Sequence, residues 1–150
     1  MSEGKRPGGL TALAVFNFVF GAIGLLAAFG LIMFLAILLG FIPESPTVQE
    51  TKEHLEAAGI PALAAIIVLC FLTASLVILS GIGYLKQSRF LGRTVGNAYA
   101  ITGIAYSILK AATLSPEIGG GFQLATIMGL VYPLLTLLLL NTAFKRDLVH

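Results

Sequence analysis

Leu10–Ile42 reads LTALAVFNFVFGAIGLLAAFGLIMFLAILLGFI and holds no charged residue. An α-helix rises ~1.5 Å per residue and the hydrocarbon core of a bilayer is ~30 Å thick, so about 20 predominantly apolar residues suffice to cross it. This stretch exceeds that length. Three further runs follow at Ile60–Leu85, Thr94–Leu114 and Phe122–Phe144, with Lys110 as their one charge. The pattern predicts an all-α protein, a four-helix transmembrane bundle forming a single domain over residues 1–150.

Composition agrees. The chain is 57% hydrophobic and 11% charged, with a mean hydropathy of +0.97. Those values lie outside the usual range of soluble domains. Lys5 and Arg6 precede the first run as in a signal peptide, but a secretory h-region is only about 7–15 residues long. The first run continues far past that and is read as an uncleaved span.

Orientation follows from Lys and Arg. Lys5 and Arg6, then Lys86, Arg89 and Arg93, then Lys145 and Arg146 fall on one side if the spans alternate. Lys52, Lys110 and most of the Glu residues fall on the other. The positive-inside rule then predicts both termini in the cytoplasm, in a cell (plasma or inner) membrane.

The first span is long for its task. About 33 helical residues would reach about 50 Å, so it is expected to tilt, to break near Gly30 or Gly40, or to project outward until Pro43 ends it. The polar segment behind it predicts a short amphipathic cap helix over residues 47–58. Thr47 and Glu50 have capping-box spacing, and Gly59 and Pro61 close the segment. Glu50, Glu53 and Glu56 would give that helix an acidic face, either plain solvent surface or a docking lid.

The inner hairpin reads Gly81-Ile-Gly-Tyr-Leu-Lys-Gln-Ser-Arg-Phe-Leu-Gly-Arg93. It resembles that of small uncharacterised bacterial four-span membrane proteins, which show Gly-x-Gly-x-Leu-Lys, an aromatic, then Arg and a helix of small residues. The resemblance implies a shared architecture and no activity.

Small residues form stripes on two spans. Gly92, Gly96, Ala100, Gly103, Ser107 and Ala111 recur at spacings that keep them on one face of span three. Asn17, Gly21, Gly24 and Ala28 do the same on span one. Small residues allow membrane helices to approach closely, so spans one and three are expected to cross. In span four, Pro133 removes the bond to the Gly129 carbonyl and predicts a kink, either a packing bend or a gating hinge.

Few polar groups remain as candidates for function. Tyr99, Thr102, Tyr106 and Lys110 form a polar stripe beside the small one. Lys110 is the one ionisable side chain inside a span, which by default raises a functional question. It lies near the outer edge, where its stem can snorkel to the headgroups. Asn17, Asn97 and Asn141 each sit near the cytoplasmic end of a span. There they could meet beneath the basic rim of Lys86, Arg89 and Arg93, as a packing clamp or as a shallow anion site.

Several classes of chemistry have no residues to carry them. Cys70 is the single cysteine, which excludes an intrachain disulfide or a two-thiol relay and suits a small core residue. No Asp or Glu lies inside a span, so proton-coupled exchange on a buried carboxylate has no candidate. No metal, cofactor or nucleic-acid partner is expected, nor enzymatic activity. The leading expectation is an accessory, scaffold or assembly subunit working through the lipid bilayer and other membrane proteins or copies of itself. The alternative is a small oligomeric transporter or channel with a path along the polar stripe of span three.

Overall fold

A computed structural model describes residues 8–42, 52–53, 56, 59–114, 120–121, 123–145 and 147–148. Its four long helices are α1 (Gly8–Leu38), α2 (Ile60–Leu85), α3 (Val95–Thr113) and α4 (Leu124–Asn141), and there is no strand among the described residues. α1 and α2 are long and apolar enough to cross a membrane, and α4 holds a shorter apolar helix.

The helix ends have local causes. α1 runs unbroken through Gly30 and stops at Leu38, ahead of Pro43, the expected terminator. Gly40 adopts φ 77°. Phe41 N–H donates to the Ala36 carbonyl at 2.9 Å and Gly40 N–H to Ile37 at 3.0 Å. This is a Schellman cap, and it ends the helix because glycine enters the left-handed region without a Cβ penalty. α2 begins after Gly59 at φ 82° with Pro61 in its first turn, where a missing N–H costs nothing. Lys52, Glu53 and Glu56 are helical, and Lys52 pairs with Glu56 at 3.7 Å. The rest of the expected cap helix lies outside the described residues.

Between α2 and α3 the chain turns tightly. Gln87 takes φ 51°, and Arg89–Thr94 forms a π-helical turn that runs directly into α3. A Cβ on Gly83 would stand 2.2 Å from the Gly92 backbone nitrogen, so the two backbones touch. Only glycine permits that approach.

Neighbouring helices in sequence are neighbours in space: α1 packs on α2, α2 on α3 and α3 on α4. The expected crossing of spans one and three is corrected by this order. Gly21 lies against Ile78 and Val77, and Gly24 against Ala74, all on α2. Gly103 seats the Pro133 ring, and Gly96 faces Tyr84 and Leu140. Most of these glycines accept a large side chain rather than a second glycine, so matching stripes on two helices did not mean that the helices meet.

α4 returns to α1 through side chains. The Phe20 and Tyr132 rings lie 4.7 Å apart, and Gly9 abuts the Phe144 ring. Past α4 the chain folds under the bundle and buries Leu148 with Leu10, Leu13, Tyr84 and Leu140. A second cluster at the opposite end joins Leu63, Ile66, Ile67 and Leu114.

Candidate functional site

Three polar constellations sit within this frame. The first is buried. Asn17 is fully enclosed and donates from Nδ2 to Ser80 Oγ at 2.7 Å. The Tyr132 hydroxyl donates to Asn17 Oδ1, and Ser80 passes its own proton to the Val77 carbonyl at 2.9 Å. One amide therefore ties α1, α2 and α4 together, using both its donor and its acceptor. Tyr99 stands beside Tyr132, with ring centroids 6.3 Å apart. Tyr84 Oη is also buried, without a hydrogen-bond partner among the described residues, and packs against Gly96.

The second constellation is the inner rim. Asn141 Nδ2 donates to Asn97 Oδ1 at 3.0 Å and to the Leu137 carbonyl at 2.8 Å. Its Oδ1 accepts from Arg93 Nε at 3.4 Å and from Arg93 Nη2 at 3.3 Å. Asn97 Nδ2 reaches the same oxygen at 3.5 Å. The expected trio of asparagines is thus divided: Asn97 and Asn141 meet at the rim, and Asn17 belongs to the buried junction. The cause is the helix order, which puts α1 beside α2 and leaves the α3–α4 pair to itself. Lys86 and Arg89 lie exposed on the same connection.

The third is the polar stripe of α3. Tyr99 is 4% exposed. Thr102 donates back to the Ala98 and Tyr99 carbonyls. Tyr106 packs on the Leu63–Ile66 cluster. Lys110 is half-buried in the last turn. Its two tyrosines pack against other helices, and Thr102 bonds within α3.

The small stripe of α3 is the buried face of that helix, at Gly96, Ala100, Gly103 and Ser107. It also serves Pro133. Ser107 Oγ donates to the Gly129 carbonyl at 3.0 Å. That is the carbonyl a proline four residues on leaves without its helical partner, and a neighbouring hydroxyl supplies the bond. Cys70 is buried, its thiol 3.5 Å from the Gly24 carbonyl.

Ser80, Tyr84, Tyr132 and Leu148 escaped the sequence reading. A fully apolar surrounding for Asn17 was the signal that it needed polar partners elsewhere. Among the described residues no three His, Cys, Asp or Glu side chains gather where they could hold a metal. A shallow crevice of about 130 Å³ lies between α3 and α4, lined by Ser107, Ile108, Ala111, Ala112 and Leu130. Comparison with protein-family models, curated proteins and solved structures finds no match to this chain.

Proposed function

We propose that the chain is a four-span membrane protein with both termini cytoplasmic, serving as a non-enzymatic accessory, scaffold or assembly subunit. The observation that carries this reading is where its apolar surface lies. Only 11% of the most apolar stretch of α1 is buried. Phe16, Val19, Ile23, Leu26 and Phe29 stand outside, while Asn17, Ser80, Ser107, Thr126 and Thr136 are enclosed. A core helix of a soluble domain would bury such a face, and contiguous exposed apolar area of this kind calls for lipid or a partner.

The accessory role is favoured over transport by the interior. Tyr99 and Tyr106 pack against neighbouring helices, Thr102 bonds along its own, and in the buried junction Asn17 bonds Ser80 and Tyr132. Groups committed in this way are not free to exchange with a solute, and Thr73 Oγ1, Tyr84 Oη and Thr126 Oγ1 are the buried side-chain atoms left without a partner among the described residues. Reconstitution into vesicles tests the point. The expected result is solute and ion flux no greater than through protein-free lipid. Flux that disappears in Lys110→Met would replace the accessory reading with transport. Cysteine labelling tests the topology: residues 87–92 are expected to react only from the cytoplasmic side and residues 44–58 only from outside, and outside labelling at Ser88 would overturn it.

A further inference from the structure

We propose that the Arg93–Asn97–Asn141 cluster binds the phosphate of an anionic phospholipid at the cytoplasmic headgroup level, an inference that rests on the membrane reading above. A guanidinium has five N–H donors in a fixed fork. Arg93 commits Nε and one Nη2 proton to Asn141 Oδ1, and the other three have no acceptor among the described residues. The acceptor it does have is neutral. Lys52–Glu56 is the one ion pair among the described residues, and it lies on the far connection. Arg93, Arg89, Lys86 and Lys145 therefore gather at one end of the bundle, where Asp147 is the one described carboxylate and pairs with none of them.

The two asparagines give the site its geometry. Asn141 is held by the Leu137 carbonyl and by Asn97, and it holds the guanidinium in turn. A fork oriented in this way presents its remaining N–H groups in the pattern that phosphate oxygens accept in pairs. Asn97 and Asn141 are positioning residues, and Arg93 makes the contact.

The neighbouring surface identifies the source of the phosphate. Phe90 lies between Arg89 and Leu91 on the π-helical turn and is 67% exposed. A ring thrust out among cations suits the headgroup boundary, where it meets acyl chains while the guanidinium meets the phosphate. Basic groups near an anionic leaflet are drawn to its negative surface potential. A free anion would have no use for the exposed ring.

The experiment places the full chain in phosphatidylcholine vesicles with a trace of spin-labelled phosphatidylglycerol or phosphatidylcholine. The fraction of immobilised label reads association. The expected result is a several-fold preference for phosphatidylglycerol that falls to near parity in Arg93→Gln. Asn97→Asp gives the guanidinium an ion-pair partner of unchanged size, and the preference is expected to fall there too. Lys110→Gln, at the other end of α3, is expected to keep it. Parity in the unaltered protein, or a preference kept in both Arg93→Gln and Asn97→Asp, would overturn the proposal. Loss of the preference on adding millimolar inorganic phosphate at constant ionic strength would mark a free-anion site and overturn the lipid assignment. Incorporation without preference counts against the headgroup site alone, whereas failure to incorporate counts against the membrane reading itself.

Discussion

α1 and α3 carry similar stripes of small residues and use them differently. On α3 the stripe is the buried face from Gly96 to Ser107, and three of its members are engaged: Gly96 takes Tyr84 and Leu140, Gly103 takes the Pro133 ring, and Ser107 bonds to Gly129. On α1, Gly21 and Gly24 meet only Val77, Ile78 and Ala74 of α2, and Gly30 has nothing within 4 Å of where a Cβ would stand. The α3 glycines seat side chains from two helices, whereas Gly21 and Gly24 of α1 lie against one. A run of small residues therefore marks where a helix can be approached, and the shape of the partner decides whether it is.

The comparison is tested most severely at its two extremes. Gly96→Leu forces a side chain into the space of Tyr84 and Leu140, where even a Cβ would come within 2.7 Å of both. Overpacking of this kind costs about 3 kcal/mol, and thermal melting in detergent is expected to show a large drop or no folded protein. Gly30→Leu adds the same volume to α1 and is expected to melt with the unaltered protein. Equal losses at the two sites would mean that α1 is enclosed to the same degree as α3.

The buried junction should come next. Asn17→Leu keeps the volume but leaves the Ser80 and Tyr132 hydroxyls without their partner. Each abandoned group costs about 1–3 kcal/mol inside a protein, although interhelical bonds within membranes average nearer 0.6 kcal/mol. A fall in stability of about 1–2 kcal/mol is expected. No change would show that the bond follows from packing rather than directing it.

A smaller and more diagnostic effect is expected at Ser107. Ser107→Ala leaves the Gly129 carbonyl unpaired and should cost about 1 kcal/mol. Pro133→Ala restores the donor for that carbonyl within α4. Ser107→Ala should therefore cost less in the Pro133→Ala background than alone, and additive losses would show that serine and proline do not act on the same carbonyl.

The smallest effect belongs to Lys110. Lys110→Arg and Lys110→Met are both expected to fold and melt normally, because the residue stands in the last turn of α3, where the proposed membrane placement would let its stem reach the headgroups. A marked loss of stability in Lys110→Met would place the charge deeper than the helix boundary implies.

Much of the candidate rim was legible beforehand. Arg93, Asn97 and Asn141 lie at the ends of their runs, and end position is a local property of sequence. The pairing of Asn97 with Asn141 followed once α3 and α4 formed a hairpin. The partners of Asn17 did not follow, because Ser80 and Tyr132 are 63 and 115 residues away and each looks like an ordinary helix residue by itself. Leu148 was hidden for the same reason: a leucine in a charged tail carries no sign that the tail folds back under the core.

The amino-acid sequence by itself determined the all-helical class, the approximate limits of the four helices, the Gly59–Pro61 start of α2 and the small face of α3. Each of these depends on run length, on the 3.6-residue period or on backbone chemistry within a few residues. Tertiary structure alone decided that α1 lies on α2, that Pro133 is answered by Ser107, and that the asparagines divide between a buried junction and an exposed rim. Those outcomes depend on which large side chain fits which notch and which donor reaches which acceptor across dozens of residues. Even the end of α1 shows the division. Gly40 and Pro43 were both visible as breakers, and the capping bonds from Gly40 and Phe41 made the glycine, not the proline, the place where the helix stops.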